Sequence, residues 1–398
     1  VEKKTGIVHL KGIDTIRMVS AFMVIVFHAT ALPKLTPPNI VAAILPYFGM
    51  AVPLFFAVSG FIIAYVYQGK LSENDSIINF YIKRFFRIAP LFYSMLVVWM
   101  ITAYIVWDKL YPFSEIIINL SFLFNNVPNQ QESIVWAGWS IGVEMIFYFL
   151  FPLISLFTTN VRCALIGLVL SLLLAMMAHA QYTEIGVPTY GYMNSSNQFC
   201  YFMSGMLAFH IWCKSGFRQS QKAVVIRTLL MILAIAIVVG IVASNLIFIG
   251  NTEKYRQGGW CIAFVVIILA ICYWQNPLVN NKLFNYLGAI SFSLYLVHPF
   301  IIQMLVFLKF YSFLEQYISY KTYSYLFSQV GTVLITIGIS SLTYFYIEKR
   351  GIALGSIVIK QRKHFRKIIL GYFWQRWKRE MEEATHNQGS IAVSAKLE

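Results

Sequence analysis

The stretch Ile16–His28, IRMVSAFMVIVFH, decides how the rest of the chain is read. Its interior suits the hydrocarbon of a bilayer, yet an arginine stands near one end and a histidine closes the other. Apolar runs of about 20 residues, the length that crosses a bilayer as a helix, recur along most of the 398 residues, of which 59% are hydrophobic and only 12% charged. Soluble proteins carry roughly 25% charged residues. An all-α polytopic membrane protein is therefore expected, and not a barrel, whose strands alternate weakly. The first run lacks a small-residue cleavage site and carries Arg17 and His28, so it is expected to be a retained helix, not a signal peptide.

Ten candidate spans emerge, at 13–32, 46–67, 89–108, 138–157, 162–180, 197–213, 224–249, 259–274, 286–308 and 324–347. An even number puts both termini on one side. Of the 31 Lys and Arg, 24 fall on that side, 6 on the other and Arg17 inside the first span, so the positive-inside rule makes the termini cytoplasmic. The expected organisation is a membrane domain over 1–350 and a basic cytoplasmic tail over 351–398. The net charge of +15 raises nucleic acid as a partner. Its distribution favours a membrane surface instead, because bases alternate with aromatic and aliphatic residues over 357–379, as in an interfacial helix on anionic lipid. The longest outer segments, 109–137 and 181–196, are rich in Asn, Gln, Tyr and Pro and are candidates to cover a mouth open to the outside. The five cysteines, Cys163, Cys200, Cys213, Cys261 and Cys272, lie in or beside apolar runs with no metal-site or disulfide spacing, and read as packing residues.

A charge at the bilayer centre costs about 2.5–3.5 kcal/mol on insertion scales and usually faces a polar interior. Arg17 and His28 are eleven positions apart. At ~100° and ~1.5 Å per residue this is three turns with about 20° left over, so the two share one face roughly 16 Å apart. That face points at one polar path. Taken singly, Arg17 also reads as a snorkelling side chain paired with Asp14, and His28 as a neutral imidazole bonded to a neighbouring helix. Glu144, in WAGWSIGVEMIFYFLFPL (136–153), is surrounded by aromatics and needs a partner or a proton. One reading has it orienting an imidazole as the third member of a relay; the other is a structural carboxylate bonded to Ser140 or to another helix.

Arg84 and Arg87, with Lys83 beside them, lie in YIKRFFRIAPLFY (81–93), expected as a cytoplasmic segment that joins the third span at Pro90. Two guanidiniums three residues apart among aromatics make a phosphate cradle beside a stacking surface, although the pair also fits ordinary positive-inside charge. Ser59 and Gly60 suggest a close approach between helices. In ISFSLYLVHPF (290–300), Ser291, Tyr295 and His298 share a helix face, and Pro299 is expected to free a carbonyl.

Together these motifs resemble the acyltransferase 3 family of integral membrane acyltransferases. The matching pieces run in order: Arg17 with ten residues to His28, FFAVSGF (55–61), RFFRIAP (84–90), WSIGVEMIFYFLFP (139–152), NQFCYFMSGMLAF (197–209), ISFSLYLVHPF (290–300), and Glu348 in YFYIEKR (344–350). Phe292 departs from the tyrosine of many relatives. The resemblance implies the stand-alone form without a fused hydrolase-like domain, as in bacterial inner-membrane O-acetyltransferases of exopolysaccharides, O-antigens or their lipid-linked precursors. It also implies an acyl-CoA donor, usually acetyl-CoA, entering from the cytoplasm, and donor binding by Arg84 and Arg87; no metal is expected. Acyl transfer from a thioester to an alcohol needs a base and a positive group, and a histidine with an ordinary pKa of about 6.5 suits the first role.

The expected assignments follow. His28, Arg17 and Glu144 are catalytic; Arg84, Arg87, Lys83 and Arg17 hold acetyl-CoA; Ser59, Trp139, Ser140, Tyr295 and His298 line the substrate path. Direct transfer is favoured over an acyl-enzyme because no Ser or Cys occupies a nucleophile elbow, with acyl-His28 the main exception. The rival reading is a transporter or flippase for a lipid-linked sugar or anion, since intramembrane charges also mark transport paths; matched inverted repeats are not seen in the sequence.

Overall fold

The computed structural model describes residues 10–71, 73–184, 186–215, 222–247, 253–272 and 281–366. Among them there is no strand. The helices are α1 (Lys11–Ala31), α2 (Asn39–Ile44), α3 (Ala51–Tyr67), α4 (Asn74–Trp107), α5 (Phe113–Leu120), α6 (Trp139–Phe157), α7 (Val161–Glu184), α8 (Pro188–Met193), α9 (Ser195–Ser215), α10 (Lys222–Ile247), α11 (Glu253–Cys272), α12 (Lys282–Ala289), α13 (Ser291–Phe307), α14 (Phe310–Tyr317) and α15 (Lys321–Thr343). A π-helical turn, Tyr344–Glu348, follows α15, and the helix then runs on to Arg366.

Among the described residues six helices are long and apolar enough to cross a membrane, fewer than the ten spans expected: α1, α2 with α3, α4, α6, α7, and α15 with its continuation. A seventh candidate is the pair α12–α13, bent by 65° at Ile290. The helix α9 is less apolar than these for a physical reason. It is buried along most of its length, so Asn197, Gln198, Ser204 and His210 meet protein and not lipid. The apolar stretches of α10 and α11, Thr228–Ile241 and Arg256–Cys272, are shorter than the runs read from the sequence, and the rest of those runs lies partly outside the described residues.

Small residues set the helix spacing. A Cβ at Gly60 would sit 2.1 Å from the Phe202 carbonyl oxygen, and one at Gly205 would sit 1.8 Å from that of Ala57, so α3 and α9 cross backbone to backbone. Phe202 then stacks between Phe56 at 4.7 Å and Phe147 at 4.0 Å, which brings α6 against the same crossing.

The third span differs from expectation. Pro90 does not open it; α4 begins at Asn74, and Pro90 lies inside a 34-residue helix. The missing N–H at Pro90 leaves the Phe86 carbonyl without its usual donor. Gly351 lies against that place, where a Cβ would be 2.6 Å from Pro90 Cγ and 2.9 Å from Phe86 O. Arg84 and Arg87 consequently ride on a rigid helix and not on a loop. The continuation of α15 crosses position 350 without a break, and Arg362 bonds Asp75 at 2.6 Å and Asn79 at 3.3 Å, while Arg366 also pairs with Asp75. The basic stretch beyond Arg366 lies outside the described residues.

The two long polar segments lock onto each other. Asn125 Nδ2 donates to Ser195 Oγ at 3.0 Å and to the Met193 carbonyl at 3.3 Å, and the Tyr190 hydroxyl donates to the Asn126 carbonyl at 3.0 Å. Asn119 Oδ1 accepts from Ser133 Oγ and from the Ile134 amide, which fixes the loop leading into α6.

Gly205→Val is expected to lower the unfolding temperature of the protein in detergent, because the obstacle is backbone and overpacking costs about 1–3 kcal/mol even where side chains can yield. Gly240→Ala, where a Cβ meets nothing within 4 Å, is the matched control and is expected to leave that temperature unchanged or raise it.

Candidate active site

Helices α1, α3, α4, α6 and α13 enclose one cavity of about 770 Å³, its open mouth included. Arg17, Arg84 and Arg87 line it against a single lining carboxylate, Glu144. The remaining polar wall is Ser59, Ser140, Ser291, Tyr148 and Tyr295, with Phe55, Phe56 and Phe292 among the apolar faces.

Arg84 is held by aromatic faces. Its guanidinium carbon lies 5.3 Å from the Tyr67 ring centroid, 5.5 Å from Tyr148 and 5.9 Å from Phe80. Glu144 supplies the countercharge on the same side, accepting from Ser59 Oγ at 2.9 Å and from the Tyr148 hydroxyl. Tyr148 is four residues after Glu144, one helical turn on, so the sequence spacing was available as a signal. Tyr67 had none.

Arg87 pairs with Glu348 at 3.5 Å, and the other carboxylate oxygen of Glu348 accepts from Ser293 Oγ at 2.8 Å. Glu348 is fully buried and ends the π-helical turn. A π turn rotates the residues after it relative to an α-helix and recurs at functional sites. Arg17, half-buried, lies in the combined field of Arg87 and of the Asp14, Glu348 and Glu144 carboxylates.

The histidines lie past the cavity. His28 Nδ1 is 2.9 Å from His298 Nε2, with the rings stacked at 5.0 Å. Neither lines the cavity, but Tyr295 belongs to both places: it is part of the wall, and its ring lies 5.8 Å from that of His298. The Tyr295 hydroxyl donates to the Ala137 carbonyl and accepts from Ser140 Oγ, both at 2.8 Å. The passage expected from the sequence is thus interrupted at Tyr295. Beyond the imidazoles, Thr30 Oγ1 meets the Tyr325 hydroxyl at 2.9 Å and Gln329 Nε2 at 3.1 Å, a buried hydroxyl cluster that the sequence reading missed.

Three expectations change. Glu144 does not meet His28 as the orienting carboxylate; it sits with Ser59, Tyr148 and Arg84, and the group on His28 is His298. Lys83 is exposed and outside the cavity wall, because one residue along a helix turns ~100° from Arg84. Trp139 packs edge-on against Phe56 at 6.1 Å and near Tyr192 at 5.5 Å, apart from the wall.

No curated protein and no solved structure matches the chain. A family model described as an acyltransferase domain matches residues 10–345, a range that holds every residue of the cavity wall and both histidines. With most of its length matched, the chain belongs to the acyltransferase 3 family.

Proposed function

We propose that this membrane acyltransferase is a multi-pass, ten-crossing O-acetyltransferase of the bacterial inner membrane, with both termini cytoplasmic. It moves an acetyl group from cytoplasmic acetyl-CoA to a hydroxyl of a surface polysaccharide or its lipid-linked precursor. The observation that carries this reading is the cavity wall, where three guanidiniums face one carboxylate and the far end reaches an imidazole pair through Tyr295.

The excess positive charge suits the phosphates of the donor, which rest on Arg84 and Arg87; Lys83 is left out of the donor site. Arg17 lies further along the acyl arm, and the thioester reaches His28 only when the Tyr295 side chain, which closes the far end of the cavity, moves aside. His28 takes the proton of the acceptor hydroxyl as its oxygen attacks the thioester carbonyl. The tetrahedral intermediate collapses, the CoA thiolate leaves, and the proton on His28 neutralises it. The hydroxyl cluster of Thr30, Tyr325 and Gln329 beyond His28 suits a polyhydroxylated acceptor arriving from the other side.

In lipid vesicles supplied with labelled acetyl-CoA and acceptor, His28→Ala is expected to lower transfer by about 10²–10⁴-fold, the range of general acid–base catalysis. Full activity in that variant sinks the assignment. Arg84→Ala combined with Arg87→Ala is expected to weaken acetyl-CoA binding by about tenfold or more per guanidinium, since hydrogen bonds to charged groups contribute ~1.5–3 kcal/mol; a transporter of lipid-linked sugar would show no saturable donor binding to lose. Because Glu144 serves Arg84, Glu144→Gln is expected to raise the KM for acetyl-CoA more than it lowers kcat, read from initial rates over a donor titration.

A further inference from the structure

We propose that His298 is a positioning residue that fixes which ring nitrogen of His28 is free to accept a proton, and that Pro299 makes this possible. The inference rests on the reading of His28 as the base. In a regular helix the amide of residue 299 would donate to the carbonyl of Tyr295; proline has no N–H, so that carbonyl is left open. His298 Nδ1 fills the gap at 2.5 Å.

Proton positions then follow by elimination. A carbonyl oxygen only accepts, so Nδ1 of His298 carries the hydrogen. A neutral imidazole has one N–H, which leaves Nε2 of His298 as a bare acceptor. His28 Nδ1, 2.9 Å from that nitrogen, must be the donor. His28 Nε2 therefore keeps its lone pair. The chain Tyr295 carbonyl, His298, His28 is a one-way series of donors and acceptors, and full burial of His298 keeps water from offering that ring a different partner, while His28 is only partly buried.

The Val24 carbonyl, one turn earlier on α1, is the other backbone acceptor beside the His28 ring. If His28 instead carried its proton on Nε2, no hydrogen would lie between the two rings unless the pair held an additional proton. The backbone therefore selects between two arrangements that a spectrum can tell apart. A catalytic base needs its free lone pair aimed at the acceptor, and in triads of this general kind the group behind the histidine acts by holding tautomer and orientation.

The test uses the full chain in lipid nanodiscs with ¹⁵N-labelled histidine, the His28 signals being assigned by their loss in His28→Gln. The expected spectrum has His28 Nδ1 protonated and Nε2 bare. His298→Phe keeps the ring and removes the acceptor; His28 is expected to shift toward the Nε2–H form and kcat to fall about 10²-fold or more, with the KM for acetyl-CoA little changed. His298→Gln places an amide oxygen near the lost Nε2 and is expected to recover most of that kcat, which a role in packing alone would not produce. Pro299→Ala returns an N–H to the Tyr295 carbonyl and is expected to mix the His28 tautomers and lower kcat without touching any substrate. A wild-type spectrum with Nε2 of His28 protonated overturns the proposal, as does undiminished kcat in His298→Phe while His28→Ala is inactive. Transfer surviving in His28→Ala overturns instead the base assignment beneath it.

Discussion

Placing three guanidiniums inside a helix bundle surrounded by lipid is the constraint on which the other features depend. Each such charge costs several kcal/mol unless it is paired or faces a polar space. Arg84 meets the requirement with Glu144 and three aromatic faces, Arg87 with Glu348, and Arg17 with the shared field of Asp14, Glu348 and Glu144. The carboxylates are in turn fixed by Ser59, Tyr148 and Ser293. Residues from α1, α3, α4, α6, α13 and the π-helical turn are thus tied to one charge network. Removing one carboxylate would leave a guanidinium uncompensated, a larger loss than the pair itself contributes.

The irregular backbone serves the same end. Non-helical or unpaired backbone within a membrane persists only where protein surrounds it. Pro90 opens the Phe86 carbonyl, and Gly351 lets α15 close over it next to Arg87; Pro299 opens the Tyr295 carbonyl, and His298 closes it. The π-helical turn then places Glu348 on Arg87. At each point a local departure from α geometry sits one or two turns from a charged or imidazole group.

The helical class was legible because apolar runs of bilayer length leave little alternative. The shared face of Arg17 and His28 followed from helical periodicity alone. Partners across helices were not legible in the same way. Glu144 and His28 are both polar groups in apolar helices, and periodicity says which face each occupies but not which neighbour meets it; the tight crossing at Gly60 and Gly205 turns Ser59 toward Glu144 and settles the matter. Lys83 looked equivalent to Arg84 as one of three adjacent bases. Once α4 extends back to Asn74 the two point ~100° apart, and only Arg84 and Arg87 share the cavity. The π turn had no sequence signal, because its extra residue per turn is a property of packing.

The separation of the arginines from the imidazoles has a chemical logic on the proposed reading. Phosphates need fixed positive charge, whereas a base needs a free lone pair at rest, and a guanidinium in contact with it would oppose proton uptake. Acetyl-CoA keeps its phosphates and its thioester at opposite ends of a long arm. A site with guanidiniums at one end and an imidazole roughly 16 Å along the same helix face meets both demands without bringing them into contact. Tyr295 stands at the junction, its hydroxyl held by Ser140 and Ala137 at the cavity wall while its ring borders His298. The ten residues between Arg17 and His28 then correspond to the part of the donor arm that lies beyond Arg17, measured out in helical turns.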